Sequence, residues 1–119
     1  MTITIYGIKN CDTMKKARLW LDRHEIKYAF HDYKAGGIDR AHLASWSGKV
    51  GWETLLNRAG TTFRELPENQ KQALDAGKAI ALMLAQPSMI KRPVLDIEGE
   101  RLLVGFKPET YSEVLLPGR

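Results

Sequence analysis

Ile3-Thr4-Ile5-Tyr6-Gly7-Ile8-Lys9-Asn10-Cys11-Asp12-Thr13-Met14 passes from an alternating apolar segment into the start of a helical pattern. Residues 2 to 6 alternate as a half-buried strand does. From Met14 to Arg23 the apolar positions Met14, Ala17 and Leu21 recur at the spacing of one helix face, and Trp20 widens the stripe. Cys11, the single cysteine of the chain, therefore stands at a strand-to-helix turn. The start of a helix presents unpaired backbone N–H groups and a partial positive charge, which favour a thiolate, the reactive form of the side chain. Free cysteine is also among the most buried residue types, so an inert core thiol is the other reading of the same position.

Working outward, residues 27 to 32 alternate again, with Tyr28 and Phe30 on one face and Ala29 and His31 on the other. Strand, helix and strand make a βαβ unit, which needs parallel strands and a right-handed crossover. Its ligands are expected beyond the carboxyl ends of the strands, where Cys11 lies. After Gly36-Gly37 the pattern turns helical, over Ile38 to Ser47, Trp52 to Asn57, Leu66 to Leu74 and Gly77 to Gln86, and predicts a helical insertion at about 37–87. Pro67 suits a first helical turn, Asp75-Ala76-Gly77 separates two helices, and Pro87 ends the last one. Strands return at Pro93 to Ile97 and Arg101 to Val104, joined by the hairpin signal Glu98-Gly99-Glu100. Pro108 opens a final helix with Tyr111, Val114 and Leu115 as its stripe, and Pro117-Gly118 closes it. The order predicts an α/β chain with a thioredoxin-like fold: one domain, residues 1–119, with a four-stranded mixed sheet (βαβ + ββα) and the helical insertion between its halves.

A chain of 119 residues is long enough for one core without disulfide staples. One cysteine excludes an intrachain disulfide and any multi-cysteine metal site, and it fits a reducing compartment. Met1-Thr2-Ile3-Thr4 lacks a basic segment followed by an apolar core, and the apolar runs fall far short of the ~20 residues of a membrane span. A soluble, cytoplasmic protein is expected. The formal net charge is +4 and the pI about 9.3, but the charge is spread. Lys15, Lys16, Arg18 and Arg23 share a helix with Asp12 and Asp22, so no continuous nucleic-acid stripe forms and the charge reads as a mixed, solvated face, although a net positive balance also suits a small anionic substrate. His24, His31 and His42 have no catalytic pairing and read as structural or surface residues. No spacing suggests a metal site. Trp20, Trp46 and Trp52 fall within helical patterns and read as packing residues.

The loop Tyr6-Gly7-Ile8-Lys9-Asn10-Cys11-Asp12-Thr13 resembles the active-site loop of the ArsC/Spx family. Phe30-His31-Asp32-Tyr33-Lys34, Gly51-Trp52-Glu53-Thr54-Leu55-Leu56-Asn57-Arg58, Gly60-Thr61-Thr62-Phe63-Arg64 and Ile90-Lys91-Arg92-Pro93-Val94 are similar to its other blocks, in the expected order. The likeness spans essentially the whole chain and is greatest to the YffB-type members, described as glutathione-dependent thiol reductases.

The resemblance implies that Cys11 is the nucleophile. Lys15, one turn on, adds positive charge, and the hydroxyl or amide of Thr13 is placed to stabilise the thiolate; Asp12 reads as structural. Because Met14 stands fourth in Cys11-Asp12-Thr13-Met14, no resolving cysteine is present. An outside thiol must therefore release any adduct, and glutathione or a glutaredoxin-like partner is expected, glutathione as co-substrate with no bound cofactor. The missing cysteine also opposes an Spx-like intramolecular disulfide switch.

The resemblance further implies a cis peptide at Arg92-Pro93 beside the nucleophile, with glutathione adding there as a short strand and the Arg92 guanidinium facing an anionic group. Without the family likeness, Arg92 reads as half of a surface ion pair. Arg58 lies near where arsenate-reducing relatives place another anion-binding arginine. Where those relatives carry an arginine near the last strand, this chain has Lys107, which keeps the charge and loses the bidentate fork. Asn10, Thr13, Lys15, Arg58, Arg92, Pro93 and Lys107 are thus the expected substrate- or glutathione-binding residues. Two other functions stay open: glutaredoxin-coupled arsenate reduction, and an Spx-like regulator that binds RNA polymerase without turnover.

Overall fold

Burial alternates along Ile3–Gly7, where Ile3, Ile5 and Gly7 are buried and Thr4 and Tyr6 half-buried, and this segment forms β1. The computed structural model describes residues 2–116. After β1 come α1 (Asp12–Arg23) and β2 (Ala29–Asp32), then α2 (Tyr33–Gly36), α3 (Arg40–Val50), α4 (Trp52–Leu55), α5 (Thr61–Arg64), α6 (Glu68–Lys71) and α7 (Ala76–Ala85). A 3-10 turn at Pro87–Met89 leads to β3 (Val94–Ile97), β4 (Arg101–Val104) and α8 (Pro108–Leu115). The strands form one sheet in the order β2-β1-β3-β4, with β1 parallel to β2 and antiparallel to β3, and β3 antiparallel to β4. This is the thioredoxin-like α/β arrangement, a four-stranded mixed sheet built from βαβ and ββα.

The chain divides into two compact units. In the first, residues up to Asp32 and from Arg92 onward, one face of the sheet supplies Ile3, Ile5, Leu95 and Ile97 to a core that α1 completes with Met14, Ala17 and Leu21, and α8 with Tyr111 and Leu115. The Tyr111 ring meets Trp20 and Phe106 edge-on, at 5.5 and 4.8 Å between centroids. The second unit, Tyr33–Lys91, holds the helical stretch expected at about 37–87 and reaches slightly beyond it at both ends. Tyr33, Leu43, Trp46, Leu55, Ala79 and Met83 are buried there. Its segments are tied by the Leu56–Ile90 bridge and by the Tyr33 hydroxyl, which donates to the Ile90 carbonyl at 3.1 Å.

Several boundaries differ from the sequence reading, each for a physical reason. Helix α1 starts at Asp12 rather than Met14, because the periodic apolar positions begin one turn inside it. The predicted helix over 66–74 shrinks to Glu68–Lys71, which buries none of its side chains; Gln72 is extended and Ala73 has a φ of 52°. Pro67 is its N-cap rather than part of its first turn. Asp75 is the N-cap of α7, its carboxylate accepting from the Lys78 amide at 2.8 Å, so Ala76 and Gly77 belong to the helix instead of separating two. Asp39 caps α3 likewise through the His42 amide at 2.8 Å, and the helix runs on to Val50. The Glu98-Gly99 hairpin turn takes positive φ at both residues, and the Gly99 amide donates to the Asp96 carboxylate at 2.9 Å. The expected closure of α8 by Pro117-Gly118 lies outside the described residues.

Candidate active site

Gly7 ends β1 against Met14, the residue that stands where a Cys-x-x-Cys pair would have its second cysteine. A Cβ built on Gly7 would lie 2.6 Å from Met14 Cε and closer still to its Sδ. Only a glycine lets the buried thioether close the floor of the turn, and Met14 is 1% exposed. The packing role expected of Met14 is thus met, and it brings Gly7 with it.

Cys11 is the N-cap of α1, with extended backbone (φ −133°, ψ 128°), and its carbonyl accepts the first helical bond, from the Lys15 amide at 3.0 Å. The thiol is half-buried. Burial alone would push the thiol pKa up. The Met14 amide, the Arg92 guanidinium and the Thr13 amide outweigh it, and the thiol titrates below its ordinary value. Two amides of a first helical turn and one guanidinium favour the anion over the thiol.

Arg92 reaches this sulfur from the segment just before β3, and the peptide bond to the buried Pro93 is cis. Crossing to β3 places Arg92 beside the C-terminal end of β1, because Tyr6 pairs with Val94. The structure therefore gathers Cys11, Thr13, Arg92 and Pro93 at one end of the sheet. Asn10 is exposed in the turn before the cysteine, and Lys15 is exposed one turn along α1. Lys107 is exposed at the N-cap of α8. Arg58 belongs to the other unit, where it is exposed with its guanidinium over the Trp52 ring at 5.8 Å.

The histidines are occupied by local contacts. His24 caps the C-terminal end of α1, its Nδ1 2.9 Å from the Trp20 carbonyl and its ring stacked on Trp20 at 4.0 Å. His42 Nδ1 lies 2.7 Å from the Asp39 carboxylate, and His31 packs on Tyr6 at 5.2 Å. Among the described residues no group of three or more His, Cys, Asp or Glu is arranged to hold a metal ion, and no helix is long and apolar enough to cross a membrane. The sequence reading missed Gly7. Its signal was a glycine placed where strand alternation stops, directly before the cysteine loop.

Residues 6–114, which include the cysteine turn and the Arg92-Pro93 segment, match the family model of the ArsC family. The chain belongs to the ArsC family. Among solved structures it is similar to the YffB protein, with 67% identity, a TM-score of 0.92, and 96% of this chain and 99% of that chain covered. It is also similar to an arsenate reductase (ArsC) related protein from Brucella melitensis, at 60% identity and a TM-score of 0.77, over 96% of this chain and 94% of the other. A more distant relative of this ArsC-family chain is the global transcriptional regulator Spx of Streptococcus mutans, 24% identical over 95% of this chain and 82% of Spx.

Proposed function

We propose that this ArsC-family chain is a cytoplasmic, glutathione-dependent thiol-disulfide reductase with Cys11 as its nucleophile. The observation that carries the reading is the Cys11 sulfur, half-buried at a helix N-cap and hydrogen-bonded by Arg92, in a chain without a second cysteine. In the first step the Cys11 thiolate attacks a glutathionylated substrate, R–S–SG. A bond forms between Cys11 and the glutathione sulfur, the original disulfide breaks, and RS⁻ leaves and takes a proton. A glutathione thiolate then attacks the Cys11–glutathione disulfide, releasing oxidised glutathione and restoring the Cys11 thiolate. The net change is RSSG + GSH → RSH + GSSG.

The Thr13 and Met14 amides and Arg92 stabilise the thiolate that starts each cycle and leaves at its end. Arg92, with its planar fork, also faces a carboxylate of the incoming glutathione, whose extended backbone lies beside Pro93. Asn10, Lys15 and Lys107 are the further residues of this unit we assign to anion binding, and a glutaredoxin-like protein is an alternative donor of the resolving thiol.

Turnover of a glutathionylated peptide by reduced glutathione tests this reading. Wild-type protein should accelerate the exchange and Cys11→Ser should abolish the acceleration. Equal rates for the two proteins overturn it. Arsenate turnover that exceeds disulfide turnover would move the assignment to arsenate reduction, although Lys107 lacks the fork suited to a tetrahedral oxyanion. Capture of RNA polymerase equally by wild type and Cys11→Ser, with no turnover, would move it to an Spx-like regulator.

A further inference from the structure

Far along α1 from the cysteine, Arg18 is held in a way unusual for a surface arginine. Its guanidinium lies over the Phe30 ring at 4.4 Å and near the Tyr28 ring at 5.8 Å, and its Nε–H donates to the Tyr28 hydroxyl at 3.2 Å. Stacking and one hydrogen bond fix the plane of the group and use one of its five donors, which leaves the terminal fork pre-organised. Asp22 follows one helical turn later on the same face, at a spacing that normally favours an ion pair. The two form none among the described residues, and the guanidinium lies instead over the rings of Phe30 in β2 and Tyr28 just before it. Cys11 and Arg18 are separated by two turns of helix, about 10 Å along the axis, so this is a separate place on the unit.

Arg18 lines a groove of about 760 Å³ together with Asp22, Glu25, Ile26, Lys27, Tyr28 and Phe30. That volume lies within the range of small-ligand sites. Arg18 and Lys27 are balanced by Asp22 and Glu25, so the groove carries both signs of charge and no formal excess of either. A phosphate dianion would meet two carboxylates there, whereas a ligand with one carboxylate and one ammonium satisfies both signs. Glu25 is held at the groove by a helix-ending turn, in which the Ile26 amide donates to Leu21 O at 3.0 Å and the Glu25 amide to Asp22 O at 3.1 Å. Glu25 itself takes a φ of 57°, a conformation that favours glycine. A glycine would relieve that strain and remove the carboxylate from the groove.

We propose that the groove between α1 and β2 binds a zwitterion of the α-amino-acid type. The carboxylate takes the Arg18 fork, with Lys27 at its edge. The ammonium lies between Asp22 and Glu25, and an apolar side chain rests against Ile26 and Tyr28. The site does not depend on the redox reading of Cys11.

Titration of the ¹⁵N-labelled full chain with L-phenylalanine, followed by amide and Arg Nε shifts, tests the assignment in a Cys11→Ser background as well as in wild type. Saturable shifts are expected at Arg18, Tyr28 and Phe30 in both proteins, and weaker by about tenfold or more for N-acetyl-L-phenylalanine, which lacks the ammonium, and for L-phenylalanine amide, which lacks the carboxylate. Arg18→Lys, which keeps charge and loses the fork, should weaken the zwitterion by a similar factor, and so should the exposed-site variant Glu25→Gln. Equal affinity for all three compounds, tighter binding of inorganic phosphate, or a response unchanged by both substitutions overturns the proposal. So does an absence of saturable shifts.

Discussion

At Cys11 the sign of the pKa shift decides what titration will show. Burial raises the thiol, the Met14 amide, Arg92 and the Thr13 amide lower it, and the balance falls below the ordinary value. A folded pKa below the unfolded one means that the thiolate contributes to stability above the ordinary thiol range. That contribution is lost as pH falls through the folded value. Denaturant midpoints of wild type and Cys11→Ser should therefore diverge as pH rises through the thiol range, with wild type gaining. Arg92→Ala should move the alkylation midpoint of Cys11 upward, and each pH unit of movement lowers the ratio of thiolate to thiol at a given pH about tenfold. An unmoved midpoint would show that the amides alone set the shift. Gly7 is the other residue whose identity the turn demands. Gly7→Ala should destabilise by about 1–3 kcal/mol through overpacking, measured by denaturant unfolding, and Met14→Ala in the same chain should recover part of the loss.

Elements with their own apolar period are legible in the sequence. The alternation of Ile3 and Ile5, the Met14–Ala17–Leu21 stripe and the Glu98-Gly99 turn suffice to read the opening strand and helix and the closing hairpin. Elements defined by caps are not. The start of α1 at Asp12 and of α7 at Ala76 depends on where Cys11 and Asp75 leave the helical conformation, which periodicity does not report. The Gly7–Met14 fit was hidden because it joins a strand to a helix across seven residues of unrelated pattern. The cis Arg92-Pro93 bond and its closeness to Cys11 came from family likeness, since no spacing of residues distant in the chain encodes it. Asp75→Ala should cost α7 about 1 kcal/mol, read as a lower thermal midpoint, because the Lys78 amide loses its acceptor. In α8 the Tyr111 hydroxyl is buried without a hydrogen-bond partner among the described residues, and its pKa is driven up by burial. Tyr111→Phe should therefore leave stability unchanged or raise it. A marked loss by calorimetry would reveal a partner for that hydroxyl.

On the scale of the whole molecule, composition and fold limit the chemistry more than any single contact does. The chain has one cysteine, so any disulfide it forms is intermolecular and is released only by a thiol of another molecule. Its sheet places that cysteine and Arg92 at the same end of β1 although 81 positions of sequence number separate them, and the unit Tyr33–Lys91 intervenes between the two in the chain. A resolving thiol cannot be restored by the Met14 position without opening the packing on Gly7. The most direct test is intact mass of the reduced protein after exposure to oxidised glutathione and then to excess reduced glutathione. A single glutathione adduct on Cys11, formed faster than on an unperturbed thiol and fully reversed by reduced glutathione, is the expected result. A thiol that stays unmodified, or an adduct that reduced glutathione fails to remove, would contradict the account.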